Sequence, residues 1–207
     1  VNGPHCCGSS TATAETTGSD FHAGLPAPRS QCRTDVLAYL FVATRGVEIR
    51  GLRFPFALRW CAGRGIHQLS RTQSGERYRP SGEVLIRHEE MFDVHMMPDE
   101  TGAVTGRLEI DLMLRNKQSE PDWHSLALSY ACNGRGFGLA LTQSMFASPS
   151  YPWTLESLAA RLGARPRAIQ MALFRESYSF DAALRRCRSL HTLLRAGHAH
   201  CTFEAVN

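Results

Sequence analysis

The chain is 207 residues long, enough for one or two small domains with a real core. Hydrophobic residues make up 43% of it and charged residues 20%, which are ordinary globular values. The formal net charge is +4. No apolar run approaches the roughly 20 residues that a bilayer-spanning helix needs, so no membrane partner is expected.

Seven cysteines, at 6, 7, 32, 61, 132, 187 and 201, are scattered and odd in number. A secreted disulfide framework is denser and paired, so reduced thiols fit better. The first residues lack a charged-then-apolar signal pattern, which makes a cytoplasmic chain the default expectation. Residues 1–33 are rich in Gly, Ser, Thr, Ala and Pro and poor in large apolar groups. Such a composition does not offset the entropy of ordering and predicts a disordered arm. Cys6 and Cys7 are adjacent and lie near His5, but they lack the spacing of metal ligands.

From Val36 the pattern changes, and residues 34–147 read as a mostly antiparallel β domain that senses an input or dimerises. VLAYLFVAT and VEIRGLRFPFALRWCAG are β-branched and aromatic stretches broken by Gly and Pro, as strands and turns are. EVLIRHEEMFDVHMM follows, and PDETG is a turn signal. GRLEIDLMLRN alternates, with Leu108, Ile110, Leu112 and Leu114 on one face and Glu109, Asp111 and Met113 on the other. LALSYAC and FGLALTQSM are expected as two further strands around the turn NGRGFG. SPSYP, at 148–152, is the expected linker.

Several clusters in this region invite a chemical reading. Gly134, Gly136 and Gly138 suggest a phosphate loop, but such a loop needs a helix after it, and the expected successor is a strand. His88, Glu89, Glu90 and His95 suggest a metal site, yet on a strand His95 falls opposite His88 and Glu90, so a solvated charged edge is expected. Glu109 and Asp111 are explained as the wet face of a strand. Arg50, Arg53, Arg59 and Arg64 alternate with Phe54, Phe56 and Trp60 and read as a solvated face. No Ser, Cys or Lys nucleophile has an identifiable base partner. The expectation is therefore no enzyme, no catalytic residue, no cofactor and no metal.

Residues 148–207 read as an all-α module. Thr154 is placed to cap a helix, and Leu155, Leu158, Ala159 and Leu162 fall on one face. Gly163 can end that helix in the left-handed region, and Pro166 can open the next at its first position. Ile169 and Leu173 point inward with Ala172, while Arg167, Gln170 and Met171 project from the other side. Two short helices joined by a Gly-containing turn have helix-turn-helix spacing. Residues 151–207 hold eight arginines against four acids, an excess of four that equals the net charge of the whole chain. A positive excess confined to one module is the footprint of a phosphate-binding surface.

TLESLAARLG, followed in order by PR, IQ, LFRES, SF and LRR, resembles the first helix-turn-helix and linker helix of AraC-type transcriptional regulators. The resemblance covers about a quarter of the chain. It implies a bacterial regulator, activator or repressor, whose helix 166–176 enters the major groove of double-stranded DNA. Arg167, Gln170 and Met171 then stand where the family reads bases. Arg chelates guanine and Gln chelates adenine, whereas Met171 replaces the family's usual Arg and offers only an apolar contact. Arg165 replaces the family's Ser cap, a loss of about 1 kcal/mol. Arg161, Arg165, Arg175, Arg185 and Arg186 are the expected phosphate contacts. The pattern holds through Arg188. After it Leu193 and Leu194 come about two residues early, and HAHCTFEAVN is too short for two more helices, so the family's second unit is expected to be missing.

The chain is thus expected to be α+β, with a disordered arm at 1–33, a β-rich domain at 34–147 and a helix-turn-helix module at 148–207. Its expected role is sequence-specific DNA binding as a homodimer, with a small effector or a protein co-activator left open at the N-terminal domain. The alternative is a truncated or partner-dependent interaction module that dimerises with a full-length regulator or an adaptor.

Overall fold

The structure is a computed structural model that describes residues 35–71, 77–78, 82–112, 120–132, 135–198 and 200–206. The arm expected at 1–33 lies outside the described residues, as do Met113 and Leu114. Residues 33–207 form one compact unit.

Two antiparallel sheets come first. The strands are β1 (Asp35–Ala43), β2 (Val47–Arg53), β3 (Leu58–Ala62), β4 (Ile66–Arg71), β5 (Arg77–Tyr78), β6 (Glu83–Ile86), β7 (Met91–Met97) and β8 (Val104–Leu112). Five helices follow: α1 (Trp123–Ala131), α2 (Phe137–Ala147), α3 (Leu155–Arg161), α4 (Pro166–Arg175) and α5 (Phe180–Ala196). A last strand, β9 (Cys201–Val206), closes the order. One sheet runs β6-β3-β8-β1-β9 and the other β2-β7-β4-β5.

Alternation built the sheets with the expected period, but Glu109 of β8 is not on a wet face: it is only 16% exposed and lies between Arg59 and Arg107, whose charges hold it against the sheet. Leu108, Ile110 and Leu112 of β8 are buried while Arg107 is exposed. On β1, Phe41 and Ala43 turn inward, and Val36, Leu40 and Val42 turn out. The sheets meet where Trp60 of β3 donates its indole N–H to His67 Nδ1 of β4 at 3.3 Å. His67 Nε2 lies 3.2 Å from the Arg64 carbonyl, so a neutral ring donating from Nε2 satisfies both contacts. Burial lowers the His67 pKa, which keeps the ring neutral.

Two segments expected as strands are helices. LALSYAC lies in α1 and its C-cap, and FGLALTQSM lies in α2. In α2, Phe137, Leu141 and Met145 are buried, and so are Gly138, Thr142 and Phe146, a spacing of four on two adjoining faces. A helix buried on so wide an arc reads as a continuous apolar run, which periodicity does not separate from a buried strand. Phe146 packs edge-on against Phe54 and Phe56 and so seats α2 on the β region. The glycine-rich segment therefore joins two helices and not two strands; Asn133 and Gly134 lie outside the described residues.

The tail HAHCTFEAVN, grouped above with the helical module, carries β9. It pairs antiparallel with β1, Phe41 opposite Phe203 and Ala43 opposite Cys201. Gly197 ends α5 with φ 74°, and a Cβ there would collide with the Cys201 carbonyl. Only glycine permits the chain to fold back this tightly.

Candidate nucleic-acid interface

α3 begins as its sequence demands. The Thr154 hydroxyl accepts from the Ser157 amide at 3.0 Å, and the Ser157 hydroxyl lies 3.4 Å from the Thr154 amide, completing a capping box. Gly163 sits at φ 61°, where a glycine meets no steric cost. Pro166 opens α4, and Arg165 at its N-cap makes no side-chain cap bond. Residues 162–165 are the whole connection between α3 and α4.

α4 is two-faced. Ile169, Ala172 and Leu173 are buried, and Arg167, Gln170 and Met171 are exposed. The three expected base readers share one groove of about 690 Å³, bounded by α4 and the first turns of α3 and α5. Phe174 extends their stripe by one more turn and is 74% exposed. Positions 167, 170, 171 and 174 recur at helical spacing, so the periodicity that placed the first three also places the fourth. Phe174 was missed because an aromatic after Leu173 reads as core. Glu156 and Asp181 also line the groove, and their charge repels phosphate from it.

The five arginines expected on phosphate divide. Arg165, Arg175 and Arg185 are exposed. Arg161, also exposed, lies over the Trp123 ring, 5.4 Å from its centroid. Arg186 is used inside the protein: its terminal nitrogens donate to the two Glu89 carboxylate oxygens at 2.9 and 2.7 Å. Arg53 meets the same carboxylate at 2.6 Å. The charged-edge expectation for Glu89 and Glu90 is corrected by the same geometry. Glu89 is only 13% exposed and holds two arginines, and Glu90 pairs with Arg71 at 2.8 Å. Among the described residues no group of three His, Cys, Asp or Glu side chains is placed to hold a metal ion.

The Glu176 carboxylate also acts inside the protein. It accepts from the Phe137 and Gly138 amides at 3.2 and 2.9 Å, at the start of α2. The anion site that a helix N-terminus offers is thus filled by the chain's own side chain. Tyr178 packs on Gly138, and its phenol is pushed up to about 12 by burial and then by the nearby Glu89 charge.

No helix among the described residues is long and apolar enough to cross a membrane. No family model and no curated protein sequence matches the chain. Solved structures of ToxT from Vibrio cholerae are similar to it. One, bound to an unsaturated fatty acid, is 9% identical with a TM-score of 0.42, covering 81% of this chain and 84% of that one. Another, at 1.65 Å resolution, is 13% identical with a TM-score of 0.45, covering 79% and 85%. At these TM-scores the functional reading rests on this chain's own residues.

Proposed function

We propose that the chain binds double-stranded DNA through α4 as a transcription regulator. The observation that carries the reading is the exposed stripe of Arg167, Gln170 and Met171 on a helix whose other face is fully buried, in a segment with four excess positive charges. The buried face fixes the helix, so the stripe meets a groove as a rigid edge. Arg167 and Gln170 supply bidentate hydrogen bonding to guanine and adenine, and Met171 an apolar contact. Arg165, Arg175 and Arg185 supply phosphate contacts, which set register without reading sequence. With Arg186 committed to Glu89, it has no part in that set. A small effector or co-activator acting on the β region belongs to the same proposal.

The test is capture of random double-stranded DNA by the purified chain at low and at physiological salt. One enriched motif that persists at the higher salt supports the reading. Capture that is indifferent to sequence and vanishes with salt is counterion release alone and overturns it.

A second reading is favoured by Phe174. An exposed phenylalanine beside the 42%-exposed Met171 makes the far end of the stripe apolar. Such a patch suits another protein, either a related regulator or an adaptor, and α4 would then be a docking helix. Loss of DNA capture together with a specific protein partner that is lost on Phe174→Ser selects this reading.

A further inference from the structure

The solvent face of α5 carries a pattern that the reading of α4 leaves unused. Phe180, Ala183, Cys187, Leu190 and Leu194 turn inward along its length. Opposite them Asp181, Arg185, Arg188, Thr192 and Arg195 are exposed. At 3.6 residues per turn these five fall within about 80° of one another, so they form one straight stripe. From Arg185 to Arg195 the stripe rises about 15 Å. Asp181 is its one acid and also lines the groove of α4, so the stripe starts at the edge of that groove.

The charge of this stripe is not balanced within the protein. In the β region Arg50, Arg53, Arg59, Arg64, Arg71 and Arg107 each lie against a carboxylate. Arg186, the neighbour of Arg185, takes both oxygens of Glu89. Among the described residues no carboxylate pairs with Arg185, Arg188 or Arg195. Arg185 and Arg188, three residues apart on one helix, repel each other at close range. An external row of negative charge removes that repulsion.

We infer that the stripe lies along the phosphate backbone of the duplex that α4 reads, with Arg188 and Arg195 extending the contact beyond Arg185. The inference rests on the proposed reading of α4. Phosphate oxygens accept the guanidinium fork in pairs, which suits arginine at each position. A strand of duplex advances about 3.4 Å per nucleotide, so a 15 Å stripe matches about four phosphates. Asp181 repels phosphate from the first turn, and contact therefore begins at Arg185. A membrane surface fits less well, because a helix lying on lipid inserts an apolar face, and none of the exposed large apolar residues lies on α5. The stripe adds affinity and orientation without sequence preference. It lengthens the stretch of duplex held by the chain beyond what the ten residues of α4 span.

Fluorescence anisotropy of the full chain across a range of salt, on duplex selected through α4, tests it. The double variant Arg188→Gln/Arg195→Gln is expected to weaken all sequences alike. It should make the slope of log affinity against log salt shallower by about 1.8, since each lost contact removes about 0.9. The variant Arg188→Lys/Arg195→Lys keeps the wild-type slope, because the slope counts charges. Extending the duplex by half a turn beyond the motif should strengthen the wild-type chain more than the Gln variant. Thermal melting verifies that these exposed substitutions leave the fold intact. A Gln variant with the wild-type slope overturns the inference and leaves the reading of α4 in place. So does an equal gain from extension in both chains, or capture by phosphatidylserine vesicles in preference to duplex. Failure of the α4 reading looks different: no motif is enriched by the wild-type chain. The slope is then read on unselected duplex, where the same drop still supports the stripe and its absence overturns it.

Discussion

Glu89 and Arg186 are 97 residues apart in sequence and meet as a two-pronged ion pair, at 2.9 and 2.7 Å. Glu89 lies in the turn between β6 and β7 with φ 61°, and Arg186 lies on α5. The pair ties the β region to the helix that follows α4, and Arg53 on β2 takes the remaining side of the carboxylate. Removing the shared acid leaves two half-buried guanidinium groups without a counter-charge. Glu89→Ala is therefore expected to destabilise the fold by about 3 kcal/mol. Arg186→Ala should cost less, because Arg53 stays on Glu89. Urea unfolding of both variants measures the order, and equal costs would refute the shared-carboxylate account.

Gly138 is packed under the Tyr178 ring, and a Cβ there would overlap the ring carbons. Gly138→Ala is expected to cost about 1–3 kcal/mol by forcing α2 and the Tyr178 segment apart. Glu176→Ala removes the carboxylate from the Phe137 and Gly138 amides and is expected to cost about 1–2 kcal/mol. Thermal unfolding of the single and double variants checks both values. The two sites share the same turn, so their costs should be non-additive.

A buried histidine, His67, and a half-buried one, His191, predict an acid-sensitive fold. Burial lowers the pKa of His67, and burial followed by the Arg195 charge lowers that of His191, against the raising effect of the Phe146 carbonyl. His191 Nε2 lies 2.6 Å from that carbonyl, and its ring stacks on Phe146. The unfolded chain takes up these protons near pH 6.5, and the folded chain only at lower pH. Stability is thus full above that pH and is lost as pH falls toward the folded values. Urea midpoints at pH 7.5, 6.5 and 5.5 should decline, and His191→Gln should flatten the decline. An unchanged slope in that variant would remove His191 from the account.

On DNA selected as above, Arg167→Ala is expected to relax preference at one or two base positions and to cost about 1–3 kcal/mol on the preferred site. Arg175→Ala should weaken all sequences alike and reduce the salt slope by about one. Fluorescence anisotropy against matched and single-mismatch duplexes separates the two patterns. Uniform weakening by Arg167→Ala would count against its role as a reader.

Local signals were enough for the helices around α4. Thr154, Gly163 and Pro166 each act on the backbone within one turn, and the burial of Ile169, Ala172 and Leu173 follows from a 3.6-residue period. The alternating strands, β8 above all, were legible for the same reason: alternation is a local property, although it did not show that Arg59 and Arg107 cover Glu109. By contrast, α2 was hidden because tertiary packing covers two of its faces, and burial on both erases the period that betrays a helix.

The sequence by itself determined where the chain caps, turns and alternates, and therefore which side chains of α4 face outward. Only the tertiary structure decided what the charged residues do. Arg186 looks no different in sequence from Arg185, yet one is held by Glu89 and the other is exposed. Glu176 sits beside Arg175 but serves the amides of α2, nearly forty residues earlier. Hydrogen bonds and ion pairs depend on approach to within a few ångströms in space, and sequence spacing does not encode that distance once the partners lie on different elements.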